Sequence, residues 1–115
     1  MKIILLADSD YKRETGLMFH QPIELDECAF FIFPRSGQHV FWNMNVDFPI
    51  SLIFCDENDV VKDIKTLEAQ QKEPVKPKSF DIRYVIETHI DAPKHHKIEI
   101  GKKMKRDSNE VLFND

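Results

Sequence analysis

His39-Val40-Phe41-Trp42-Asn43-Met44-Asn45-Val46-Asp47-Phe48-Pro49-Ile50-Ser51-Leu52-Ile53-Phe54-Cys55-Asp56 constrains the fold more than any other stretch of this sequence. It holds the single tryptophan and the densest apolar cluster, interrupted by a bend rich in Asn, Asp and Pro. The ring of Pro49 holds Phe48 extended. Asn43, Asn45 and Asp47 tolerate left-handed backbone and bond it locally. The pattern predicts strand, crowded turn, strand, with residues 51–55 forming a strand buried on both faces.

The rest of the chain supplies partners for these strands. Residues 3–6 read as a short strand. Asp8, Ser9 and Asp10 offer capping oxygens to a short helix ending near Thr15, and Gly16 stops it. Cys28-Ala29-Phe30-Phe31-Ile32-Phe33 is continuously apolar and reads as another buried strand. Pro34, Ser36 and Gly37 predict a turn after it, with residues 39–42 returning antiparallel. Residues 56–59 are expected as a surface hairpin loop, with 60–65 as the returning strand. Residues 66–79, with Pro74 and Pro77, read as an irregular crossing loop. Residues 80–87 alternate, which would place Phe80, Ile82, Tyr84 and Ile86 on one face. Pro93 opens a short helical turn. Residues 98–101 read as a strand and turn, and 111–113 as a last edge strand or a frayed tail.

The fold expected is mainly β: a small barrel-like or orthogonally packed antiparallel sheet with one or two short helices, in a single domain over residues 1–115. A chain of 115 residues has room for one core. Its net charge of -4 argues against nucleic-acid binding by the whole surface. The first apolar run meets Asp8 too early for a signal peptide, and no run is long enough to span a membrane. The expected compartment is the cytoplasm. Cys28 and Cys55 both sit in apolar runs and are expected as buried, reduced thiols.

Arg13 (shifted by one position), Gly16-Leu17-Met18, Phe31-Ile32-Phe33, His39, Phe41-Trp42, Asn45, Pro49, Ile53-Phe54, Asp56, Tyr84-Val85-Ile86-Glu87 and Gly101 together carry a resemblance. They resemble the pattern of a small bacterial, archaeal and phage family catalogued as domain of unknown function 192. The chain departs from that pattern where Asn43 and Met44 replace Met-Lys, Ile50 and Ser51 replace Leu-Asp, and Lys102 replaces an Asp. The resemblance implies a compact β-rich fold with short helices, and a virion as the alternative location if the origin is a phage. It implies no reaction and no cofactor.

The candidate site follows the central stretch. His39, Trp42 and Asn45 lie around the bend, with Arg13 and Glu87 as expected neighbours. One reading is a small-ligand pocket floored by Trp42, with Asn45 orienting the ligand. The plainer reading is a core tryptophan, with Asn45 bonding loop backbone; it predicts that Trp42→Ala costs about 3–5 kcal/mol. No catalytic or metal-ligating set emerges. His39, Asp47, Asp56 and Glu87 lack ligand spacing, and adjacent His95 and His96 are expected to diverge into solvent. Lys102-Lys103-Met104-Lys105-Arg106 reads as a charged edge strand rather than a nucleic-acid contact. The leading function is a non-enzymatic binding or accessory protein for an unknown small ligand or protein partner. The alternatives are a component of a larger assembly such as a phage particle, and a small hydrolase-like or metal-assisted enzyme.

Overall fold

A computed structural model describes residues 1–114. Seven strands and two short helices follow in order: β1 (Lys2–Ala7), α1 (Asp10–Thr15), β2 (Glu27–Gly37), β3 (Ile50–Asp56), β4 (Val61–Leu67), β5 (Ile82–His89), α2 (Ala92–His95), β6 (Lys103–Arg106) and β7 (Val111–Asn114). The fold is mainly β, as expected, but it is not a barrel and not purely antiparallel. Five strands make one open sheet in the order β1-β2-β5-β3-β4, and β6 and β7 pair separately. Strand β1 runs parallel to β2, whereas the other pairings are antiparallel.

Apolar side chains on successive positions make β2, β5 and β3 the centre of this sheet. Every residue of β3 is buried. Alternation divides the core between the two faces. On one face Phe31, Leu52, Phe54 and Val85 pack with Leu17, Phe41, Val46 and Phe48 from irregular chain. On the other, Phe30, Ile53 and Ile86 pack with Ala92, Ile98, Met104 and Val111. Thus α2 and the β6–β7 hairpin cover one face. Segments following α1 and around the central bend cover the other.

Several local expectations need correction. Strand β2 runs through Pro34 to Gly37 instead of turning. Its ladder with β5 breaks between Ile32 and Gly37, so Pro34 lies where no ladder donor is required. Residues 39–42 therefore do not return as a strand; Phe41 alone bridges to Val75. The expected common face of residues 80–87 is also broken. Arg83 is an extra residue between Tyr84 and Ile82 relative to Cys55 and Asp56 of β3. The resulting bulge places Ile82 on the opposite face from Tyr84 and Ile86. Phe80 lies outside β5 and is 74% exposed. Residues 98–101 form a turn, with Gly101 at φ 96.

The loop between β3 and β4 is more embedded than a plain surface turn. An Asp56 carboxylate oxygen accepts the backbone N–H groups of Asn58 and Val60, at 2.9 and 3.0 Å. Asp59, at φ 68, accepts the Met104 N–H of β6 at 2.7 Å. The basic run also packs: Arg106 lies over the rings of Tyr84 and Phe30, at 4.6 and 5.2 Å. The last strand is ordered, with Val111 buried against the core.

Both cysteines are free and fully buried. Strand β5 lies between theirs, and they oppose its residues Thr88 and Tyr84, offset along the strand, so their separation exceeds two strand spacings, roughly 10 Å. That exceeds the disulfide limit of roughly 7 Å between Cα atoms. Burial pushes the Cys28 thiol up to about 12 and the Cys55 thiol up as well. Thiol titration is expected to find two reactive groups after denaturation and none in the native protein; labelling of the folded chain would contradict this packing.

Candidate functional site

The C-terminal turn of α1 builds one wall of the main cavity. Ser9 caps the helix, accepting from the Lys12 N–H at 3.3 Å. Gly16 ends it at φ 45 and ψ -127, a region open essentially to glycine. A Cβ there would also stand 3.2 Å from the Phe31 ring. This turn brings Leu17 and Met18 over the sheet, opposite the bend that follows β2.

Between them lies a cavity of about 610 Å³. Phe31 and Phe33 of β2, Val40, Phe41 and Trp42, and Leu17 and Met18 give it apolar walls. Its charged lining groups are Arg13, Glu14 and Glu87. Three of the five sequence-predicted residues, Arg13, Trp42 and Glu87, therefore share one cavity. His39 and Asn45 do not line it.

Glu87 is the chemically unusual member. It lies on central strand β5, flanked in register by Ala29 of β2 and Leu52 of β3. Its exposure is only 5%. Its carboxyl has no hydrogen bond or ion pair with any described residue. Among the described residues every fully enclosed side-chain oxygen has a partner, so the Glu87 oxygens are not sealed off, and the residue lines the cavity. Desolvation by burial raises this acid to about 8.

Arg13 is held at the rim by its own contacts. One terminal nitrogen donates to the Ile32 carbonyl, the other to Asp10, each at 2.8 Å. The guanidinium also lies 5.7 Å from the Phe33 ring centre. His39 stacks on Phe33 at 3.7 Å and 10° between planes. Its Nε2 donates to the Arg35 carbonyl at 2.9 Å, so it supports the wall from outside.

Trp42 is not a core residue. It is 45% exposed, and its indole N–H has no partner among the described residues. Asn45 takes the left-handed turn position, at φ 64. Its N–H donates to Gln70 Oε1 at 3.0 Å and its carbonyl accepts from Phe19 at 2.9 Å. Asn43 was missed by sequence reasoning as the anchor of the bend. It is 1% exposed, and its amide donates to the carbonyls of Phe48 and Glu68, both at 2.9 Å. Its position between Trp42 and Met44 gave no signal distinguishing it from Asn45.

Elsewhere, His95 and His96 do not diverge. Their rings meet edge to face at 4.8 Å, and His96 Nε2 lies 2.9 Å from the Leu25 carbonyl. With Asp26 they offer ligand atoms within 4.8 Å of one another.

The chain is thus a small, mainly β protein with a mixed open sheet and a cavity between a helix stop and a crowded bend. The chain belongs to the family described as "Uncharacterized ACR", domain of unknown function 192, whose pattern matches residues 3–106. No curated protein matches it. A protein from Sinorhizobium meliloti 1021, described as a "putative transcription regulator", shares the fold with a TM-score of 0.80 at 18% identity. The match covers 94% of this chain and 78% of that one. A protein of unknown function from Novosphingobium aromaticivorans DSM 12444 is similar with a TM-score of 0.78 at 20% identity, over 92% of this chain and 71% of that one. At these identities the likeness is one of fold. No helix of the described residues is long and apolar enough to cross a membrane.

The bend and the wall should respond differently to truncation. Asn43→Ala is expected to cost about 1–3 kcal/mol by leaving two carbonyls unpaired. Trp42→Ala is expected to cost no more than about 1.5 kcal/mol, because so much of the ring is already in water. Urea unfolding of both variants checks the order; a larger loss for Trp42→Ala would return the ring to the core.

Glu87 also sets a pH dependence. An unfolded glutamate ionises near 4.5, the folded one near 8. Between those values the folded state holds a proton that the unfolded state has lost. Stability therefore falls as pH rises through this window. Glu87→Gln should flatten that fall in thermal melts; an unchanged slope would mean that the acid is ionised or solvated in the native state.

Proposed function

We propose that this chain is a non-enzymatic binding protein whose small ligand occupies the cavity between α1, β2, β5 and the central bend. The observation that carries the reading is Glu87: a buried acid, without a protein partner, at the floor of an apolar cavity. Burying such a group has a cost unless something bonds it. Apolar walls with one or two convergent polar groups are the usual composition of ligand pockets, and about 610 Å³ lies within their usual size.

Group-transfer chemistry fits the lining less well. Thr15 is the one hydroxyl among the lining residues, and it donates to the Tyr11 carbonyl at 2.9 Å. Neither cysteine lines the cavity. The exposure of Val40 and Trp42, which belong to the same lining, favours a second reading in which a protein partner or a larger assembly closes the mouth.

Native mass spectrometry of the protein purified from its own source separates these readings. A non-covalent adduct of small-molecule mass is expected, weakened in Trp42→Ala. Co-purification of a stoichiometric protein, with no small adduct, would favour the second reading and remove the first.

A further inference from the structure

The cavity holds more information about its ligand than its size. Four aromatic rings line it: Phe31, Phe33, Phe41 and Trp42. Phe41 meets Phe31 and Phe33 edge to face, at 5.3 and 5.9 Å, which fixes the group as a rigid wall. The faces of aromatic rings attract cations, and Phe33 of this wall already has the Arg13 guanidinium over it, 5.7 Å from its centre. The acceptor at the floor, Glu87, has the same preference. The one cation in the lining, Arg13, is already paired with Asp10 and held by the Ile32 carbonyl.

We propose that the cavity takes an organic amine in its protonated form, its ammonium bonded to the Glu87 carboxylate and its hydrocarbon body against Phe31, Phe33, Phe41 and Trp42. The inference rests on the cavity being a ligand site, and it names the class of ligand. A charge-assisted hydrogen bond is roughly twice as strong as its neutral counterpart. An amine therefore gains more from this floor than an alcohol of the same shape.

Binding has a proton balance. Near neutrality Glu87 holds its proton, because burial raises it to about 8. The ammonium arrives charged, so that proton leaves to solvent as the ion pair forms. Apart from this proton, passed from the Glu87 carboxyl to water, no covalent bond changes. The other titratable groups that share the cavity are Arg13 and Glu14, both from α1; the β2 and β3 neighbours in register with Glu87 are Ala29 and Leu52. Amine affinity should then rise with pH between about pH 6 and about pH 8. A carboxylate ligand, accepting from protonated Glu87 and drawn by Arg13, would show the opposite slope.

Isothermal titration calorimetry with phenethylammonium, phenethyl alcohol and phenylacetate tests this, with Trp42 fluorescence followed in parallel. Phenethylammonium is expected to bind about tenfold tighter than the alcohol. Its affinity should rise with pH, and the heat should vary with buffer ionisation as a proton is released. Glu87→Gln should abolish the preference over the alcohol. Equal binding of amine and alcohol, with a fluorescence change, would leave a ligand pocket but overturn the amine assignment. A preference for phenylacetate that strengthens as pH falls would overturn it in favour of acids. No binding by any of the three would overturn both the assignment and the pocket on which it rests. Should Glu87→Gln fail to fold, the sign of the pH slope in the parent protein decides alone.

Discussion

A sheet whose central strands carry apolar side chains on both faces has to be covered from both sides. Here β3 is buried along its whole length, and so are Val85 to Thr88 of β5 beside it and Cys28 to Phe31 of β2 beyond. The described residues offer two short helices, and α1 buries no residue of its own. Irregular chain must therefore do the covering. Each irregular segment brings backbone groups that need partners away from water. Buried polar side chains meet that need: Asn43 ties the central bend to Phe48 and Glu68, and Asp63 accepts the Lys78 N–H of the crossing loop at 2.8 Å. These contacts make loops behave as part of the core.

Covering by loops is less complete than covering by a helix, and the cavity lies on the loop-covered face. The turn after α1 descends on one side, where a Cβ on Gly16 would stand 3.8 Å from Glu87 Oε1, and the bend lies on the other, with the cavity between them. The small side chain of Ala29 beside it leaves room for a carboxyl on a central strand. A helix laid over the same position would have excluded both the cavity and the acid. Thus the device that lets a short chain bury a two-faced sheet also leaves a largely apolar pocket with a buried acid in its lining.

Much of the architecture was legible. Continuous apolar runs marked β2 and β3 correctly, because only a strand covered on both faces can use them. Ser9 and Gly16 marked the two ends of α1 through their capping chemistry. Pro34 and Gly37 misled, because their turn preference was overridden where the ladder had no need of a donor. The alternation of residues 80–87 misled for a different reason: one extra residue at Arg83 inverts the faces, and a bulge leaves no trace in periodicity. Trp42 misled most. Its size argues for burial, but the residue lies where the coverage of the sheet ends.

The sequence by itself determined the class of fold, the two buried thiols, the helix stop at Gly16 and the family pattern. Each depends on local chemistry or on apolar runs, which the order of residues displays directly. Only the tertiary structure decided that β1 runs parallel, that the sheet stays open, and that Asn43 rather than Asn45 anchors the bend. It alone brought Arg13, Trp42 and Glu87 to one cavity. These residues are separated by long stretches of chain, and their meeting depends on strand order and on a turn that folds back across the sheet. The character of Glu87 depends on it too: in sequence it is one acid at the end of an alternating strand, and its burial on a central strand beside the cavity is visible only in the folded chain.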